Sequence, residues 1–115
     1  MRIEFIAQAG VKIHTAHGSI LCDPWFNPAY YAGWFPYPRN DKLDHAALGA
    51  TDYLYISHLH RDHFDPEWLK AYCNKDAVVI LPAYPLPELK EALQGLGFHA
   101  FIETQSGVPV RHGGL

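Results

Sequence analysis

The chain has 115 residues, 49% of them hydrophobic and 18% charged, with a net charge of −3. That length suits one modest domain burying roughly 65% of its unfolded surface, and is too short for two. The acidic balance offers no field for a nucleic-acid backbone, and two cysteines at unrelated spacing give no disulfide framework, which fits a reducing, cytoplasmic setting.

The N-terminus, Met1-Arg2-Ile3-Glu4-Phe5, alternates from its second residue and carries an acid, so it reads as a strand rather than a signal peptide. No apolar run approaches membrane-spanning length, and no membrane span is expected. Ala9-Gly10 and His17-Gly18 mark two turns between short apolar runs, which predicts an antiparallel meander over Met1 to Phe26. His14 shares a face with Lys12, opposite Val11 and Ile13, and is read as an exposed strand histidine. Neither His14 nor His17 is assigned to a site.

A loop rich in proline and aromatic residues follows over 24–45. Seven aromatics (Trp25, Phe26, Tyr30, Tyr31, Trp34, Phe35, Tyr37) crowd into thirteen residues, and Pro24, Pro28, Pro36 and Pro38 exclude a regular helix or central strand. Such a loop reads as a pocket wall or lid, or as a satellite core. His45 reads as a surface residue or a support rather than a ligand.

Tyr53-Leu54-Tyr55-Ile56 is a short buried strand by composition, and Ser57-His58-Leu59-His60-Arg61-Asp62-His63-Phe64-Asp65 follows it directly. On an extended segment His58 and His60 share a face and can converge on one cation while Leu59 points into the core. Past the turn at Arg61, Asp62 and His63 can reach back to a second cation. Imidazole nitrogen and carboxylate oxygen suit Zn²⁺, and also Fe or Mn. Asp65 then caps a helix begun by Pro66 and running to Asn74, with Trp68, Leu69 and Tyr72 on its buried face. Asp76 to Pro82 is a continuous apolar run of the kind covered on both faces. Pro85 to Gln94 reads as a helix with Leu86, Leu89 and Leu93 inward, and Phe98 to Glu103 as a strand with His99 on its polar face. The order predicts an α/β layered domain: antiparallel strands, then βαβαβ.

The stretch His58-x-His60-x-Asp62-His63 resembles the metal motif of the metallo-β-lactamase superfamily, and the opening strands with Asp23 at a strand end look like the start of that fold. The Cys22-Asp23-Pro24-Trp25 and SHLHRDHFDPE wordings are closest to the branch with ascorbate-6-phosphate lactonase, N-acyl phosphatidylethanolamine phospholipase D and CMP-sialic acid hydroxylase-like proteins. The resemblance implies the first half of an αββα sandwich, residues 1–115 being a partial domain whose second half is absent. It places His58 and His60 on a first metal, Asp62 and His63 on a second, and Asp23 beside the site. The family's third His, bridging Asp and final His have no counterpart here; His99 and His112 do not match their context.

The implied activity is that of a binuclear zinc hydrolase, in which a metal-bound hydroxide attacks an ester, lactone, amide or phosphodiester of a small-molecule substrate. Asp62 would be ligand and catalytic group, with Asp23 and Asp65 holding the histidines. The alternatives are a non-catalytic metal-binding module, completed in a homodimer or by a complementing chain, and an oxygenase-associated iron-binding relative. The last would need a Rieske iron–sulfur partner, for which the sequence has no Cys-x-His pair.

Overall fold

The computed structural model describes residues 1–7, 9–27, 40, 42–60, 62–83, 87–105 and 107–111. Six strands form one sheet in chain order: β1 (Arg2–Ala7), β2 (Gly10–Thr15), β3 (Gly18–Cys22), β4 (Tyr53–Tyr55), β5 (Val78–Pro82) and β6 (Ala100–Thr104). β1, β2 and β3 pair antiparallel through the two glycine-marked turns, and β3 to β6 pair parallel. Parallel neighbours need crossovers, and these carry the helices α1 (His45–Gly49), α2 (Pro66–Tyr72) and α3 (Glu88–Gly95).

The helices cover one face of the sheet. Leu21, Leu54, Val79 and Leu81 point to that side and pack with Leu48, Trp68, Leu69, Leu89 and Leu93 in a single core. At the α1–α2 crossing the backbones nearly touch: a Cβ on Gly49 would lie 2.0 Å from the carbonyl oxygen of Tyr72. Only glycine allows that approach.

The opposite face presents Ile3, Phe5, Val11, Ile13, Ile20, Tyr53, Ile80 and Ile102, which strand register places side by side. Ile3 and Phe5 are 59% and 53% exposed, and Ile20, Tyr53, Ile80, Ile102, Thr104, Val108 and Val110 line a groove of about 270 Å³. β5 is thus covered on one face, not both: Val79 and Leu81 are buried while Val78 and Ile80 are half-buried.

Other expectations are also corrected. Lys12 is buried, not on a solvated face, because α1 packs over it; its Nζ donates to the carbonyl oxygens of Ala47 at 2.8 Å, Leu48 at 3.2 Å and Ala50 at 3.4 Å. These are the carbonyls that a helix end leaves unpaired, so Lys12 acts as a long-range C-cap. Burial lowers its pKa. Tyr72 is 46% exposed rather than core, since α2 directs only Trp68 and Leu69 inward. At the end of the segment expected to be loop, α1 begins behind an Asp44 cap that accepts from the Ala47 amide. Leu86, His112 and the aromatic residues from Tyr30 to Tyr37 lie outside the described residues.

Among the described residues no helix is long and apolar enough to cross a membrane.

Candidate metal centre

The cluster lies where β3 and β4 end side by side, Cys22 opposite Tyr55. The Asp23 amide continues the pairing by donating to the Tyr55 carbonyl at 2.9 Å, and Asp23 then takes a positive φ of 40°. A left-handed non-glycine residue carries strain, and such strain persists where surrounding contacts fix it. Here the contacts belong to the carboxylate, which is buried.

Asp23 Oδ1 accepts the Ser57 amide at 2.8 Å, and Oδ2 accepts the Ser57 hydroxyl at 2.7 Å and His63 Nδ1–H at 2.9 Å. Ser57 Oγ also lies 2.8 Å from His58 Nδ1. The His58 ring centroid is 4.2 Å from that of His63 and 4.6 Å from that of His60. His63 Nε2 sits 3.5 Å from Asp62 Oδ2. The turn that folds the segment back is closed by the His60 carbonyl, which accepts from the amides of His63 at 2.9 Å and Phe64 at 2.8 Å. Leu59 packs on the core, as the alternation predicts.

Asp23, Ser57, His58, His60, Asp62 and His63 are therefore neighbours, with Asp62 buried and His60 exposed. Their donor atoms do not form a closed cation cage among the described residues. The Asp65 carboxylate bonds to other partners. It accepts from the amides of Phe26 at 3.0 Å, Asn27 at 2.8 Å and Trp68 at 3.2 Å, so it caps α2 and ties down the start of the aromatic loop. Burial lowers the His58 pKa, helped by repulsion from His63 and His60. A neutral imidazole is what a metal requires.

Two further histidines are placed elsewhere. His45 Nδ1 accepts from the Trp68 indole at 2.8 Å, in an aromatic group where Phe26 stacks on Trp68 at 4.5 Å. His99 pairs with Asp76 at 3.0 Å on the surface. Sequence reasoning passed over Ser57; its position directly before His58 was the available signal.

No protein-family model matches the chain. The chain is 59% identical over 108 residues to a putative Rieske 2Fe-2S iron-sulfur protein of Mycolicibacterium smegmatis, covering 94% of this chain and 21% of that protein. A like-named Mycobacterium tuberculosis protein is 59% identical over 111 residues, 96% and 22%. A cytidine monophosphate-N-acetylneuraminic acid hydroxylase of Asterias rubens is 35% identical over 68 residues, 56% and 10%. The chain thus spans about a fifth of the length of these two mycobacterial relatives.

Among solved structures, an isothiocyanate hydrolase from Delia radicum gut bacteria superposes with a TM-score of 0.65 at 20% identity, covering 90% of this chain and 41% of that one. The E377D mutant of the CmlA beta-hydroxylase gives 0.61 at 23%, 90% and 21%. At such identities the likeness is one of fold alone.

The names of the relatives overturn three expectations together: assignment to the metallo-β-lactamase superfamily as such, the zinc hydrolase activity, and zinc as the cofactor. They point to iron–sulfur proteins instead. A Rieske cluster needs two thiolates and two imidazoles around one [2Fe–2S] unit, and this chain's residues do not fit it. Cys22 lies on the open face at the carboxyl end of β3, opposite Val11 and Tyr55. Cys73 is in the core beneath the helices, where the next residue, Asn74, donates to the Thr51 carbonyl before β4. The sheet stands between them, and burial pushes both thiols up to about 11.

Proposed function

We propose that the chain is the iron-binding part of an oxygenase-associated iron–sulfur protein, with His58, His60, Asp62 and His63 as iron ligands and the Rieske cluster carried outside these residues. The observation that carries the reading is the buried Asp23 carboxylate, which gathers Ser57 and His63 beside the His58 and His60 rings. Three imidazoles and a carboxylate suit Fe(II), and a histidine that donates its other ring N–H to a carboxylate is a common arrangement in metal sites. The bound iron would supply redox chemistry. The residues of this chain would hold and orient it and keep the ligand nitrogens unprotonated. The names of the relatives support iron over zinc, and the hydroxylase relative supports an oxygenase setting.

The open apolar face supports a finer reading of the fold, half of an αββα sandwich with a second sheet packed on Ile20, Tyr53, Ile80 and Ile102. That second layer, from the same polypeptide or a complementing chain, would bring the remaining ligands.

Anaerobic titration of the chain with Fe(II), followed by calorimetry, tests the ligand set. Saturable binding that is lost in His60→Ala and His63→Ala is expected. Equal binding by wild type and both variants would exclude these residues as ligands.

A further inference from the structure

We infer that Ser57 is a positioning residue which, with Asp23, fixes the tautomers of two histidines before any cation arrives. A carboxylate can only accept, so the 2.7 Å contact between Asp23 Oδ2 and Ser57 Oγ uses the single hydroxyl proton of Ser57. Ser57 Oγ then faces His58 Nδ1 at 2.8 Å with lone pairs alone, and the proton between them belongs to the ring. His58 is held as the Nδ1–H tautomer. His63 donates from Nδ1 to the same Asp23 oxygen at 2.9 Å and is held in the same form. Both rings are left with Nε2 as the basic atom, and that of His63 lies beside Asp62 Oδ2 at 3.5 Å.

Asp23 thus reaches His63 directly and His58 through the Ser57 hydroxyl. The Ser57 amide, donating to Asp23 Oδ1 at 2.8 Å, keeps the two residues in register. An isolated imidazole favours Nε2–H slightly, so without the relay His58 would present a proton where a ligand atom is needed. The consequence for metal rests on the iron-binding reading; the tautomer assignment does not.

The test is nitrogen-15 NMR of the histidine rings in the metal-free chain, with Fe(II) titration in parallel. In the wild type, His58 and His63 are expected as Nδ1–H tautomers. Ser57→Ala should move His58 toward Nε2–H, leave His63 unchanged and weaken Fe(II) binding about 10- to 100-fold. Ser57→Thr, which keeps the hydroxyl, should restore both readouts. An Nε2–H tautomer for His58 in the wild type overturns the inference whether or not the alanine variant folds, and so does an unchanged His58 tautomer in Ser57→Ala. Wild-type tautomers as expected with no Fe(II) bound would uphold the relay and sink the iron reading.

Discussion

Three of the histidine–carboxylate pairs among the described residues lie within about 3 Å, and they differ sharply in their surroundings. His63 meets Asp23 at 2.9 Å, His14 meets Glu4 at 2.5 Å and His99 meets Asp76 at 3.0 Å. Exposure separates them: the carboxylate side chains are 7%, 43% and 85% exposed, respectively. Asp23 also serves several donors at once, whereas Asp76 meets its histidine in open solvent. A short contact between two surface groups stabilises little, because water screens it and both side chains lose freedom. A buried acceptor that gathers donors from a second strand end sets geometry, which a metal site needs.

Substitution of each carboxylate would break or sharpen that contrast. The largest effect is expected for Asp23→Ala, which strands the Ser57 amide, the Ser57 hydroxyl and His63 Nδ1–H in a buried setting. A loss of about 3 kcal/mol in urea-induced unfolding is expected, at roughly 1 to 3 kcal/mol for each donor left unsatisfied and with partial relaxation. Relief of the φ strain offsets little of it. A loss no greater than that of Glu4→Ala would remove the distinction between the pairs.

Acidification comes next in size. His58 has its pKa lowered from 6.5 in the folded state, so as pH falls through that value the unfolded chain takes up a proton that the folded chain resists. Stability of the metal-free chain should therefore be full above the unfolded pKa and decline on going from there toward the folded pKa. His58→Gln should flatten the decline in a series of melts across that range, and an unchanged slope would refute the assignment.

Glu4→Ala should cost less than about 1 kcal/mol. Its own pKa is lowered chiefly by the hydrogen bond from His14, so its contribution is present above the unfolded value of 4.5 and lost as pH falls through the folded one. Asp76→Ala should leave the melting temperature unchanged and Fe(II) binding intact; a clear fall in either would show that exposure is a poor guide here.

The strand, turn and helix carrying the motif were legible because local rules fix them: apolar residues before Ser57, an Asp65 cap and Pro66 at the helix start. Register and helix faces came through where alternation was strict, as at Leu89 and Leu93. Features resting on distant contacts did not. Lys12 looked solvated until α1, more than thirty residues away, closed over it. Ser57 carried no role in the sequence reading because Asp23, its partner, is 34 residues away. The apolar run of β5 looked doubly covered, since hydrophobicity marks both a buried face and one awaiting a partner. The donor set itself left the metal open, because histidine and aspartate suit zinc and iron alike.

The most direct test of the central claim is joint analysis of iron and acid-labile sulfide in the chain, both as isolated and after anaerobic reconstitution with iron and sulfide, for the wild type and for His63→Ala. Iron in the wild type, no sulfide, and loss of the iron on His63→Ala is the expected result. Sulfide matching iron, with both retained in His63→Ala, would contradict it and place an iron–sulfur cluster within these residues.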